Sequence, residues 1–182
     1  MKKFLGFLSV AVAILGYAYM VTKTAGGKGE GLSLTTFGLW AALAWITSVT
    51  MFKQGANPAV PTIYAVGATA TTVVLLLKGK CQWSGFDTLI AAMVAICVWL
   101  WLTSGPRNAL IMSVVATLIA GTPFIVMTWK NPAHSPIVPN AAFLVANTLA
   151  FVSAKDWTLE DRLFAGVNVG VCGMLVLPWL LF

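Results

Sequence analysis

Hydrophobic positions in this chain do not alternate with polar ones at the spacing of a half-buried strand. They run on without interruption, and the polar residues collect in the gaps. Seven apolar runs cover 4–22, 33–53, 58–78, 86–104, 108–128, 136–154 and 161–181. Each meets or approaches the roughly 20 apolar residues that a helix needs to cross a bilayer. The gaps carry turn chemistry: Ala25-Gly26-Gly27, Gly55-Ala56-Asn57-Pro58, Lys78-Gly79-Lys80, Ser104-Gly105-Pro106, Asn131-Pro132 and Lys155-Asp156-Trp157. Ser33 or Thr35, Ser84, Asn108 and Thr158 are placed to start the second, fourth, fifth and seventh helices. In the last of these, Thr158-Leu159-Glu160-Asp161 puts acids in the first turn. The opening Met1-Lys2-Lys3 imitates a signal peptide, but no small-x-small cleavage site follows Met20, so the first run reads as a transmembrane helix. The pattern predicts an all-α integral membrane protein of seven transmembrane helices, with no segment left over for a domain outside the membrane.

Composition sharpens this. The chain has 182 residues, 59% hydrophobic and 9% charged, with a mean hydropathy of +0.90. Its acids are Glu30, Asp87, Asp156, Glu160 and Asp161 and its one histidine is His134, all in loops or near a helix end. Paired-carboxylate and two-histidine constellations cannot be assembled from that distribution, so no cofactor, metal site or enzymatic activity is expected. The net charge of +6 comes from lysines and arginines spread thinly over the loops, which reads as interfacial anchoring and not as a nucleic-acid surface. Lys2, Lys3, Lys53, Arg107, Lys155 and Arg162 fall on one side of the membrane and Lys23, Lys28, Lys78, Lys80 and Lys130 on the other, which leaves the orientation open. Cys81, Cys97 and Cys172 make no CxxC spacing, and the chain has no nucleotide-binding loop.

Two internal registers can be drawn. A shift of 74 aligns Asn57-Pro58-Ala59 with Asn131-Pro132-Ala133, Trp83 with Trp157 and Asp87 with Asp161, pairing helices two to four with five to seven. A shift of 102 to 107 pairs helices one to three with five to seven, bringing Ser33 onto Ser135 and Gly16 onto Pro123. Helix one, the lysine-containing loop and Glu30-Gly31-Leu32-Ser33-Leu34 opening helix two resemble the PQ-loop pattern of the SWEET and SemiSWEET sugar transporters. Pro123 stands where that family has its second proline, Trp129-Lys130 where its basic loop begins, and Asn168 near the position of its substrate asparagine. Phe124 replaces the glutamine, and Gly16-Tyr17 replaces the first Pro-Gln pair. The chain is similar also to the Pnu-type vitamin transporters, which lack strict Pro-Gln pairs and whose sites use tryptophans and amides. The resemblance implies a 3+1+3 arrangement: a first three-helix bundle in 1–80, a linker helix in 81–106 and a second bundle in 107–182. Three helices reverse the direction of the chain, so a parallel repeat needs the extra crossing.

Asn168 and Asn147 are the foremost candidates for contact with a substrate, because an amide in hydrocarbon needs a partner inside the bundle. Trp45, Trp40 and Trp99 lie deep enough in their helices to stack on a ligand, as do Tyr64 and Tyr17. Trp83, Trp129, Trp157 and Trp179 lie near helix ends, as interfacial residues do. Pro123 is a candidate hinge in helix five. Thr62, Thr69, Thr71 and Thr72 either bond back to their own helix or line a polar lumen. Gly166-x-x-x-Gly170 with Gly173 offers a smooth face for packing within the chain or between copies, which leaves a homo-oligomer open. The expected function is facilitated diffusion of a small polar solute, vitamin- or nucleoside-like or a sugar, by alternating access. The alternative is a non-transport membrane module, either a partner-binding subunit or a small cation channel. The expected partners are the small-molecule substrate and the lipid bilayer, with no nucleic acid, and the expected site is a bacterial inner membrane.

Overall fold

The computed structural model describes residues 1–27, 32, 34–79, 85–156 and 158–181, together with the backbone but not the side chains of Phe86 and His134. Lys28, Glu30, Ser33, Lys80, Cys81, Trp83, Ser84 and Trp157 lie outside the described residues. The seven apolar runs become seven α-helices, with every end within three residues of its expected place: α1 Lys2–Ala25, α2 Leu34–Lys53, α3 Ala59–Leu77, α4 Gly85–Ser104, α5 Pro106–Lys130, α6 Ile137–Ser153 and α7 Leu159–Leu181. α1 and α5 run past their apolar segments because Lys23 and Lys130 close their last turns, where a cation meets the carbonyl end of the helix and still reaches water. Gly55 and Gly105 sit at φ +72° and +86°, conformations that glycine enters without strain, and Pro106 follows Gly105 as the first residue of α5. Thr158 caps α7 as expected, its Oγ1 accepting the Asp161 amide at 3.4 Å.

Among the described residues, six helices are long and apolar enough to cross a membrane. The seventh, α6, has 17 residues. Prolines shorten it: Pro132 opens a 3-10 turn, Pro132–His134, and Pro136 precedes the first helical residue. α6 nonetheless lies antiparallel against α1, with Ser9 Oγ donating to Ala146 O at 2.8 Å and Gly16 against Phe143.

Large apolar side chains such as Phe4, Phe7, Leu15, Leu77, Leu102 and Leu180 are exposed around the outside. Such a surface belongs in lipid. Together with the six long apolar helices, it makes this an integral, multi-pass membrane protein.

Six helices form a closed ring whose neighbour order is α1, α3, α2, α5, α7, α6 and back to α1. α4 stands outside it, against α2 and α5. The stripe Ile90, Met93 and Cys97 holds α4 there, packed with Leu43, Ile46, Ala116 and Ala120. Hydroxyl pairs stitch the ring: Thr47 to Ser113 at 2.9 Å joins α2 to α5, and Ser48 to Thr62 at 2.6 Å joins α2 to α3. Interhelical bonds of this kind contribute about 0.6–1.7 kcal/mol in a membrane protein. Thr62, Thr69, Thr71 and Thr72 each donate to the carbonyl four residues back, so α3 takes the first of the two readings open to it. In the glycine face of α7 only Gly166 meets a neighbour, Phe151 of α6, while Gly170 and Gly173 face open space.

Candidate functional site

The ring encloses a cavity of about 70 Å³ to which all six of its helices contribute and α4 does not. Its walls are aromatic. Tyr17 of α1 lies edge-on to Tyr64 of α3 at 5.4 Å and against Phe143 of α6 at 4.6 Å, and Tyr64 meets Phe164 of α7 at 5.5 Å. A second group, Phe37 and Trp40 of α2 with Phe124 of α5, has ring separations of 5.4 and 6.2 Å. Edge-to-face contacts of this sort stabilise by about 0.5–1.5 kcal/mol each beyond the area they bury. Glycines permit the close approach. A Cβ at Gly67 would overlap the Tyr17 ring at Cγ, Cδ1 and Cδ2, and one at Gly16 would stand 2.8 Å from Phe143 Cε1.

Polar groups in the wall are few and uncharged. Asn168 lines the cavity and donates one amide hydrogen to Phe164 O at 2.9 Å. The Trp40 indole Nε1, also on a residue of the wall, is buried without a partner. Asn140 joins the wall on α6 and donates to Ser135 Oγ at 3.4 Å. Thr117, Cys172 and the two tyrosines, Tyr17 and Tyr64, complete the polar set, with no carboxylate, ammonium or guanidinium among the described lining residues. Among the described residues no three histidines, cysteines or acids come together as metal ligands would.

The candidates named from sequence separate into two sets. Tyr17, Trp40, Tyr64 and Asn168 meet in the cavity wall. Asn147 is fully buried but stands behind the wall, its Nδ2 bonded to the Tyr64 hydroxyl and to Phe143 O at 2.7 Å, its Oδ1 without a partner. It fixes the ring that lines the cavity. Trp45 and Trp99 are outside. Trp45 follows Ala44 of the wall by one residue, about 100° around the helix, and its indole donates to Thr69 Oγ1 at 3.3 Å on the outer seam of α2 and α3. Trp99 is 61% exposed, two residues on from the buried Cys97 by which α4 packs. Pro123 is exposed, and α5 runs on through it to Lys130. Phe37, Phe124, Phe143 and Phe164 belong to the wall although sequence reasoning did not single them out as site residues. One signal for two of them exists. Phe143-x-x-x-Asn147 and Phe164-x-x-x-Asn168 repeat the same spacing, and in both the asparagine Nδ2 bonds to the phenylalanine carbonyl one turn back.

The two ends of the ring differ. On the side where α1 ends, a vestibule of about 540 Å³ is bounded by Tyr19, Lys23, Thr24, Ser135, Pro139 and Trp179, and Met20 belongs both to it and to the central cavity. On the side where α1 begins, a pocket of about 650 Å³ bounded by Lys2, Lys3, Phe7, Asn57 and Lys155 shares no residue with the cavity; a crevice of about 30 Å³ lies between them, with Gly6, Asn57 and Ser153 common to it and the pocket and Phe164 common to it and the cavity.

Fold and site together define a multi-pass helical membrane protein with an uncharged aromatic cavity on its axis. Comparison with protein-family models, with curated proteins and with solved structures finds no match to this chain.

Proposed function

We propose that the chain is a membrane transporter that passes a small, neutral, ring-bearing polar solute down its gradient by alternating access, in a bacterial inner membrane. The observation that carries this is the central cavity: it belongs to six helices at once, it is walled by aromatic rings, and one residue of that wall, Trp40, carries a buried indole donor without a partner. Flat apolar walls with a few placed polar groups suit an uncharged cyclic solute, and a cavity of about 70 Å³ must widen to admit one, as alternating access requires. An unpaired buried donor costs about 1–3 kcal/mol, which a hydroxyl or carbonyl of the solute would recover. The solute is released unchanged, since the wall offers no acid–base pair and no activated nucleophile.

The 3+1+3 reading is supported by the neighbour order. α3 separates α1 from α2 as α7 separates α5 from α6, and half a turn of the ring carries α1, α3, α2 onto α5, α7, α6. The alternative register has less support, because among the described residues α3 does not pack against α4 as α6 packs against α7. This grouping is in keeping with the 3+1+3 arrangement that the SWEET and Pnu resemblance implies, with α6 as a full crossing and α4 as the linker. The test is stabilisation of the purified protein against heat by nucleosides, ring-bearing vitamins and sugars. A neutral cyclic solute is expected to stabilise the wild type and not Asn168→Ala. Stabilisation that survives Asn168→Ala would place the binding site elsewhere.

A further inference from the structure

α7 carries three things on one face: Asp161, Phe164 and Asn168, at helical spacings of three and four residues. Asn168 and Phe164 are in the cavity wall, and Phe164 also floors the narrow crevice toward the start of α1. Asp161 lies in the lining of that crevice, 9% exposed. Its Oδ1 accepts the backbone amide of Asn57 at 3.1 Å, and its Oδ2 accepts that of Asp156 at 2.9 Å. Asn57 belongs to the α2–α3 connection and Asp156 to the α6–α7 connection, so one carboxylate ties the two connections together, reaching Asn57 across 104 residues of sequence.

Neighbouring contacts serve the same closure. Lys2 Nζ, at the start of α1, donates to the carbonyls of Ala154 and Lys155, both at 3.3 Å. Arg162 Nε donates to Asp156 O at 3.3 Å, and its guanidinium covers the Phe151 ring at 4.9 Å. Asn57 Oδ1 in turn accepts the Ala59 amide at 3.1 Å, so the Asp161 bond acts on the first turn of α3. Both carboxylate oxygens are engaged by amide hydrogens, which makes Asp161 a holder of loops and not a cation site. At the opposite end, the vestibule reaches Met20 and thereby the wall of the cavity.

We infer that Asp161 is the latch of the gate on the side where α1 begins, and that the conformation described is closed at the narrow crevice between the outer pocket of that side and the cavity, so that the cavity is approached from the vestibule. Release of the Asn57 amide frees the α2–α3 connection from α7, and Phe164, one turn further along α7, moves with the latch. A substrate leaving toward the start of α1 must break this bond first. Charge-assisted hydrogen bonds are roughly twice as strong as neutral ones, which suits a bond that sets the resting state.

The inference rests on the transport reading only for what passes through; accessibility itself needs no known solute. Cys172 of the cavity wall supplies the probe. With Cys81→Ser and Cys97→Ala in place, the protein in liposomes is treated with a small, membrane-impermeant, cationic thiol reagent from one side at a time. A separate Lys3→Cys variant reports which side is which. Labelling of Cys172 from the vestibule side should be at least tenfold faster than from the α1-start side. Asp161→Ala should raise the slow rate at least tenfold and leave the fast one within twofold. Lys2→Ala, which removes an exposed tie and no buried group, should raise it about threefold, and decides the matter alone if Asp161→Ala does not assemble. Equal rates from both sides in the parent protein, or a slow rate unmoved by every variant that assembles, overturn the latch. Sided labelling without flux would instead sink the transport reading, and flux without sided labelling would sink the latch alone.

Discussion

Gly67→Ala tests the packing of the cavity wall most sharply. The added methyl falls on the Tyr17 ring, overlapping Cγ and both Cδ atoms, so contact is with the stiff root of the side chain and not its tip. The ring cannot simply retreat, since Phe143 is 4.6 Å away on one flank and Tyr64 5.4 Å on another. Either Tyr17 leaves its rotamer or α1 and α3 move apart, and overpacking of this kind costs about 1–3 kcal/mol. Tyr17→Ala removes the obstacle at the cost of an emptied ring site, about 3–5 kcal/mol by analogy with other large aromatics. In the double variant the methyl occupies part of the vacated volume, so the two losses should fall short of their sum by at least about 1 kcal/mol. Reversible unfolding in mixed micelles, followed by tryptophan fluorescence, measures all four corners of the cycle. A neutral Gly67→Ala, or losses that add within about 0.5 kcal/mol, would refute the claim that Tyr17 rests on the α3 backbone at Gly67.

Two further outcomes follow from the same geometry. Asn147→Ala frees the Tyr64 hydroxyl and leaves the cavity wall loose, so solute affinity should fall by about tenfold, as measured by binding isotherms; an affinity within about twofold of the wild type would show that the Tyr64 ring does not depend on this bond. Trp99→Ala and Trp45→Ala should leave solute affinity within about twofold, because both indoles lie on outer surfaces; a tenfold loss in either would bring the outer face of α2 or α4 into the site.

The helices were legible in the sequence because hydrocarbon demands about 20 apolar residues per crossing and loops demand breakers, and both signals are strong. Which way each side chain faces was much less so. In water a helix advertises its buried face by polarity, but here both lipid and interior are apolar, and the phenylalanines of the wall look no different from Phe4 or Phe7 on the outside. Asn168 could be found because an amide in a span has to be satisfied internally, yet the same reasoning placed Asn147 beside it when it stands one layer back, bonded to Tyr64. Trp45 and Trp99 show the same limit: depth along a helix was readable, azimuth was not. Asp161 was readable as a first-turn acid of α7 and Thr158 as its cap, and both hold. Its bond to Asn57 depends on two connections meeting, which follows from the ring order and not from any local pattern.

Whether a neutral cyclic solute crosses through the ring is measured most directly by uptake into proteoliposomes. The described spans place no carboxylate, amine, guanidinium or histidine in the cavity wall, and those are the groups that proton coupling ordinarily uses. Uptake of a solute identified by thermal stabilisation should therefore rise, stop when internal and external concentrations match, ignore an imposed pH or sodium gradient, and fall at least tenfold in Asn168→Ala. Entry no faster than into protein-free liposomes, or accumulation above the external concentration driven by either gradient, would contradict facilitated diffusion through the ring.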